Sequence, residues 1–171
     1  MIVVSDTSPL NYLVLIGHVE KLPILYQRVI IPAAVAEELV HERTPSVVRD
    51  FMRQPPAWLQ VQSAVETDPT LSELDLGEAQ AIALARTMNA DLLLCDDAHA
   101  RDIAKAMQVR VAGTLGVLLE AASFGLLDLE DAVSRLRQTT FRASNALFDQ
   151  VLAAAQKNPP RQNPPQPNRE E

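Results

Sequence analysis

Short apolar runs alternate with longer helical patterns along most of the chain, and this alternation restricts the fold more than any other feature. The clearest runs are rich in Val, Ile and Leu: Ile2–Ser5, Val29–Ile31 and Leu92–Cys95. Residues that favour a helix start follow each run. Strands separated by helices pair in parallel through crossover connections. The sequence therefore predicts an α/β fold with a central parallel sheet.

Weaker patterns supply the remaining elements. Ser8 is the expected N-cap of the first helix, with Pro9 as its first helical residue. Further helices are predicted at Val19–Tyr26, Pro32 to His41, Ser46–Gln54, Asp75 or Gly77 to Met88, Ala98–Met107, Thr114 to a stop at Gly125, Leu129–Leu136 and Ser144–Gln156, and further strands at Trp58–Gln62 and Val109–Val111. The C-terminal third should be mostly helical.

Length and composition favour one domain with an aliphatic core. A chain of 171 residues can bury enough apolar surface to fold alone, and 47% of its residues are hydrophobic whereas only 4% are aromatic. The stretch from Lys157 to Glu171 carries five of the twelve prolines and almost nothing to bury. We expect a domain over 1–156, made of a core at 1–127 and helices at 128–156, and a disordered Pro-rich tail at 157–171.

Charge and cysteine usage restrict the environment and the partners. The single cysteine, Cys95, cannot form an internal disulfide, and no targeting segment opens the chain, so a cytoplasmic location is expected. No apolar stretch is long enough to cross a membrane. The net charge of −7 argues against adhesion to nucleic acid through Lys and Arg alone. Chemistry on nucleic acid would need bound cations or a local basic rim.

Two carboxylates end the two most apolar strands. Asp6 continues the face of Val4 along the first strand, and Asp96 continues the face of Leu94 along the later one. Ligands bind outside the carboxyl ends of the strands in open parallel sheets. Both carboxylates are therefore candidate ligands, although a turn or cap role explains Asp6 as well.

Helix positions add two further carboxylates. Glu78 shares a buried stripe with Ala81, Ile82 and Ala85, where a charge without a partner is costly, although the helix N-terminus also favours an acidic residue. Glu38 flanks the buried stripe of the helix after Pro32, whereas its neighbour Glu37 points to solvent. Four facing carboxylates, Asp6, Glu38, Glu78 and Asp96, would repel unless a cation neutralised them, and oxygen ligands select Mg²⁺ or Mn²⁺. Such an ion suits phosphodiester hydrolysis.

Five segments together resemble PIN-domain proteins, and especially the toxin-like branch related to VapC ribonucleases. The segments are VVSDTSPL at 3–10, IPAAVAEEL at 31–39, LDLGEAQAIALA at 74–85, LLLCDDAHAR at 92–101 and AGTLGVLLEA at 112–121. The resemblance implies a three-layer α/β/α fold that cuts RNA, with Asp6, Glu38, Glu78 and Asp96 as the catalytic and metal-binding residues. Asp97 stands where some relatives carry another acidic residue.

Polar residues near these positions have two explanations each. Hydroxyls of Thr7, Ser8 and Thr114 could orient ligands or water, although N-capping explains Ser8 and Thr114 equally well. Arg101 could touch a substrate phosphate, but its spacing from Asp97 favours a helix salt bridge, with Asp97 also capping the helix at Ala98. His99 is expected on the surface, and Cys95 is expected to act as a small buried hydrophobe.

The four carboxylates and the resemblance together imply a metal-dependent endoribonuclease, with the toxin of a toxin–antitoxin pair as one candidate role. Its partners would be an RNA substrate and a cognate antitoxin that masks the acidic cleft, and a homodimer is open. The alternative is a PIN-like module that binds RNA or protein with little turnover. A phosphoacceptor receiver domain would place its acidic pair early and a Lys late, and a haloacid-dehalogenase phosphatase would need Asp-x-Asp after the first strand. The chain has neither pattern.

Overall fold

A five-stranded parallel sheet forms the centre of the protein in a computed structural model, which describes residues 1–63 and 66–157. The strands are β1 (Val3–Ser5), β2 (Val29–Pro32), β3 (Leu59–Gln62), β4 (Leu92–Leu94) and β5 (Val111–Ala112). Their order across the sheet is β3-β2-β1-β4-β5. From β1 the chain adds β2 and β3 on one side of the sheet and then β4 and β5 on the other. The order of the strands therefore reverses between the parallel neighbours β1 and β4. The predicted parallel sheet is confirmed.

Helices occupy the connections and the C-terminal third. They are α1 (Thr7–Leu15), α2 (Leu22–Tyr26), α3 (Ala33–Val40), α4 (Ser46–Arg53), α5 (Leu76–Thr87), α6 (Ala98–Ala106), α7 (Thr114–Ser123), α8 (Leu129–Arg137) and α9 (Asn145–Lys157), with single 3₁₀ turns at Val19–Lys21 and Pro69–Leu71. Gly125, with a φ of 68°, follows α7 as predicted. The alternation of strands and helices and the helical C-terminal third are confirmed.

Two hydrophobic clusters cover the two faces of the sheet. Val3 and Leu94 belong to the larger cluster, which also takes residues from α1 to α4 and α7 to α9. Val4 and Leu93 belong to the smaller one, which is completed mainly by α5 and α6. Alternate residues of each strand therefore enter opposite layers. The architecture is the predicted three-layer α/β/α fold.

Three local predictions need correction or fall outside the described residues. Helix α1 starts at Thr7 with Asp6 at the N-cap, so Ser8 is not the cap, because the chain turns directly after β1. Strand β5 begins at Val111, since Val109 still closes the end of α6 by donating to the Ala104 carbonyl. Lys157 ends α9, and the rest of the predicted tail lies outside the described residues. Across the described ranges, no helix is long and apolar enough to span a bilayer.

Candidate active site

The reversal of strand order between β1 and β4 places a crevice at their carboxyl ends. Asp6 follows β1 directly, and its backbone N–H donates to the Leu94 carbonyl of β4 at 2.9 Å. Residues Ser5 and Leu94 are paired in the sheet, so Asp6 lies level with Cys95 and one residue before Asp96. The predicted strand-end carboxylates do sit at the position where this class of sheet binds ligands.

Asp6 is a buried carboxylate with acidic surroundings. Its side chain is only 3% exposed and accepts no capping hydrogen bond from α1. Its pKa is raised to about 8, first by burial and to a smaller extent by the charges of Glu78, Asp75 and Glu38, with the N–H of Thr7 opposing the rise. The strongest charges that act on it are therefore acidic. A buried carboxylate in such surroundings is a group that a bound cation would stabilise.

Glu38 reaches Asp6's neighbourhood from the second turn of α3. The hydroxyl of Thr7 donates to Oε2 of Glu38, which ties α3 to the start of α1. Helix α5 approaches on the other side at Gly77, where a Cβ atom would lie 2.9 Å from Cδ of Glu38. A side chain there would displace the end of the Glu38 side chain, so the glycine permits this close approach of α5 to α3. Glu37 is exposed, as predicted.

Glu78 enters the same cluster from the first turn of α5. Asp75 caps that helix by accepting from the Glu78 N–H at 2.8 Å. Partial burial raises the pKa of Glu78 to about 7, and the charges of Asp75, Asp97 and Glu38 act in the same direction. Asp6, Glu38 and Glu78 thus form one group of mutually repelling carboxylates, which we call the acidic cluster.

Asp96 has a different environment, although it lies next along the sheet. Its Oδ1 accepts from the Thr114 N–H at 2.7 Å and its Oδ2 accepts from the Thr114 hydroxyl at 2.6 Å. Burial raises its pKa, whereas these hydrogen bonds and the positive charge of Arg101 oppose the rise. A Cβ on Gly113 would lie 2.7 Å from Asp96 Oδ1 and 2.6 Å from Arg101 Nη1. Two hydrogen bonds from Thr114 therefore hold the Asp96 carboxylate, and the nearby positive charge of Arg101 favours its ionised form.

Several supporting residues differ from their sequence-based roles. Within the described residues Arg101 forms no ion pair with Asp97, because its Nη1 turns inward and donates to the Cys95 carbonyl at 3.2 Å. Asp97 caps α6 as predicted, accepting from the Ala100 N–H at 2.9 Å. Thr114 is not an N-cap, since Gly113 holds that position and the Thr114 hydroxyl serves Asp96.

The remaining predictions concern residues outside the two carboxylate groups. Cys95 is buried in the smaller core cluster, which agrees with the role of a small hydrophobe, and burial raises the pKa of its thiol. His99 is exposed as expected and lies 3.6 Å from Glu73. Ser8 is half-buried in the first turn of α1.

Three residues that pack at the site were not among the predicted site residues: Gly77, Gly113 and Gln80. Both glycines permit close approach to a carboxylate, and their signal was a glycine next to the helix-start positions Glu78 and Thr114. Gln80 is buried in α5 and its Oε1 accepts from the Ala34 N–H at 3.4 Å, joining α5 to the start of α3. A buried amide on an otherwise Ala-rich stripe was the available signal.

The acidic cluster offers the donor set of a hard divalent cation. Carboxylate oxygens without sulfur or imidazole suit Mg²⁺ and Mn²⁺, and neutralisation would remove the repulsion that raises the pKa of Asp6 and Glu78. In the described ranges, no three Asp, Glu, His or Cys side chains are grouped closely enough to hold an ion as they stand. Binding would therefore require side-chain movement, for which the second-turn Glu38 and first-turn Glu78 are the flexible members.

Comparison with known proteins identifies the family. The family model DUF3368, described as a PIN domain, matches residues 2–157. Among solved structures, a PilT N-terminus domain protein from the hyperthermophilic archaeon Sulfolobus solfataricus shares 16% identity with a TM-score of 0.49, over 84% of this chain and 100% of that chain. No curated protein matches. PIN domains are nuclease-type folds that typically use divalent metals. Because the family model spans nearly the whole chain, this protein belongs to the PIN-domain family DUF3368.

Proposed function

We propose that the protein is an Mg²⁺- or Mn²⁺-dependent endoribonuclease. The observation that carries this proposal is the acidic cluster, a set of partly or fully buried carboxylates near the switch point of the sheet, in which Asp6 is buried beside Glu78 and Glu38. Such a group is costly to a protein unless a cation completes it. Membership of the PIN family supports a nuclease function, to which a cation at this site would contribute.

The residues divide the work between binding and positioning. Asp6, Glu38 and Glu78 would hold the ion, and Thr7 orients the Glu38 carboxylate by its hydroxyl. Asp96, held by two hydrogen bonds from Thr114, would receive water or a ligand at the carboxyl end of β4. A bound divalent ion polarises a phosphoryl oxygen and lowers the pKa of water. Arg101, whose positive charge acts on Asp96, would attract a substrate phosphate.

The direct test is cleavage of RNA in Mg²⁺ or Mn²⁺ by the parent protein, Asp6→Asn and Asp96→Asn. Each variant should lose at least about 100-fold in rate, because it removes charge where the cation or its ligands bind. Asp102→Asn is the matched control, since Asp102 is an exposed carboxylate whose nearest partner is Lys105. Equal rates in the parent and both site variants would refute the assignment.

The toxin role is a finer part of the proposal and rests on the resemblance to VapC ribonucleases. An antitoxin would mask the acidic cluster, and a basic side chain would complement its charge. Expression of the parent alone should arrest growth, and Asp6→Asn should not. Copurification of a small co-transcribed neighbour that inhibits RNA cleavage would identify the antitoxin. Normal growth with abundant, RNA-cleaving parent protein would contradict a toxin role.

A second candidate is a PIN module that binds RNA or protein with little turnover. Its motivating observation is that the described carboxylates are not grouped as a finished metal site. Retained RNA binding in Asp6→Asn, together with no cleavage by the parent in either metal, would favour this alternative.

A further inference from the structure

A small pocket opens on the α3 side of the acidic cluster. Its volume is about 400 Å³, which lies within the roughly 300–1,000 Å³ range of pockets that take small ligands. The lining combines carboxylate, hydroxyl, imidazole and aliphatic groups from α1, α3, the turn after α3 and α5: Thr7, Ala34, Glu37, Glu38, His41, Thr44 and Leu76. Because Thr7 and Glu38 belong to both, a ligand in the pocket would touch the edge of the acidic cluster.

Hydrogen bonds hold one wall of the pocket to the backbone of Glu38. The Glu38 carbonyl accepts from the Thr44 hydroxyl at 2.7 Å and from the His41 N–H at 3.2 Å. The Thr44 N–H in turn donates to the His41 carbonyl at 2.9 Å. The turn that carries His41 is therefore fixed relative to the carboxylate, as a wall that must position a ligand requires.

His41 presents a defined hydrogen-bonding edge. Its Nδ1 accepts from the Arg43 N–H at 3.2 Å, so the neutral ring carries its proton on Nε2. The ring is exposed, and among the described residues its Nε2 has no hydrogen-bond partner. It offers a flat face and one N–H donor to a ligand.

Leu76 forms the apolar side. It is the first residue of α5 and 59% exposed, which by itself is ordinary for a surface leucine. Its position is informative because it faces the same pocket as the His41 ring and Ala34. A planar, partly polar group fits between an aliphatic side chain and an imidazole better than a sugar or phosphate does.

We propose that this pocket binds one nucleobase of the RNA, next to the phosphodiester at the acidic cluster, with Leu76 and His41 as its walls. A base can stack on the imidazole ring of His41 and pack against the aliphatic side chain of Leu76. An acceptor on the edge of the base can receive a hydrogen bond from the His41 Nε2–H. The proposal rests on the proposed function for its choice of RNA. A protein side chain is the other ligand that an apolar pocket could take, and the experiment separates the two.

Uncharged nucleosides test the pocket without metal or cleavage. The histidine ring signals of the parent, which has three histidines, are followed by NMR during titration with adenosine, guanosine, cytidine, uridine and ribose alone. At least one nucleoside should shift the His41 signal saturably, and ribose should not. Leu76→Ala should weaken this binding about fivefold or more. Ile24→Ala is the matched control, an aliphatic residue 41% exposed outside the pocket, and should bind like the parent.

Three results would overturn the pocket assignment. One is the absence of any nucleoside shift beyond that of ribose, the second is equal weakening by Leu76→Ala and Ile24→Ala, and the third is a His41 shift by N-acetyl-leucinamide but by no nucleoside. Nucleoside binding at His41 in a protein that cleaves no RNA would sink the proposed function while supporting the pocket. RNA cleavage without nucleoside binding would support the proposed function and overturn the pocket assignment.

Discussion

Asp6 and Asp96 follow neighbouring strands of one sheet, yet their surroundings are opposite in charge. Asp6 has acidic neighbours and no capping hydrogen bond, whereas Asp96 accepts two hydrogen bonds from Thr114 and lies beside Arg101. Strand register causes the difference: Asp6 continues the face of Val4 toward α5, and Asp96 continues the face of Leu94 toward α7. The protein compensates the charge of Asp96, whereas it leaves Asp6 buried beside other carboxylates.

The largest expected effect is on the stability of the metal-free protein. The folded-state pKa of Asp6, about 8, is above its unfolded value, so between about pH 4 and pH 8 the folded state holds a proton that the unfolded state has lost. Stability from this group therefore falls as pH rises through that window. In EDTA at pH 9, Asp6→Asn should be more stable than the parent by about 2 kcal/mol or more.

Urea unfolding at pH 4, 6 and 9 measures this difference. The gap between Asp6→Asn and the parent should be much smaller at pH 4, because Asp6 is then protonated in the folded state and the unfolded-state carboxyl, with its ordinary pKa of 3.8, is itself partly protonated. Asp102→Asn controls for loss of an exposed charge. A gap that is absent at pH 9, or one that grows as pH falls, would contradict the electrostatics assigned to Asp6.

Asp96→Asn should have the opposite sign. One of the two Thr114 donors would face an amide NH₂ in place of a carboxylate oxygen, and Arg101 would lose its charge partner. Unfolding at pH 7 in EDTA should become easier by about 1–3 kcal/mol. If Asp96→Asn proved as stabilising as Asp6→Asn, the protein would not offset the charge of Asp96 better than that of Asp6.

Gly77→Ala gives the smallest change and tests the packing of the acidic cluster. The added Cβ would displace the Glu38 carboxylate from the Thr7 hydroxyl, a loss of about 1 kcal/mol that offsets the gain expected for Gly→Ala within a helix. Gly116→Ala in α7 is the control, because its Cβ would meet only Ala112 at 3.5 Å and should stabilise the helix by about 0.5–1 kcal/mol. Thermal unfolding measures the stability of both variants. An equal change in Tm for the two would mean that Glu38 does not pack on Gly77.

Local patterns in the sequence were enough to predict the strands, most helices and the positions of Asp6 and Glu78, because periodicity and strand ends are local properties. The register of β1 against β4 is not local, so parity along each strand could not show that Asp6 and Asp96 enter different layers. Arg101 was assigned to Asp97 by helix spacing, but Gly113 leaves room for it beside Asp96. The early start of α1 also reflects the tight turn at Asp6 rather than the capping preference of Ser8.

Divalent-metal binding by the acidic cluster is the central claim, and calorimetric titration of the metal-free protein with Mn²⁺ at pH 7.5 tests it most directly. The parent should bind Mn²⁺ saturably and release protons, because Asp6 is protonated to a large extent at that pH and must ionise to act as a ligand. Repeating the titration in buffers of different ionisation enthalpy measures that release. Asp6→Asn should lose at least about tenfold in affinity together with the proton release, and Asp102→Asn should keep both. Equal Mn²⁺ affinity and equal proton release in the parent and Asp6→Asn would contradict the account.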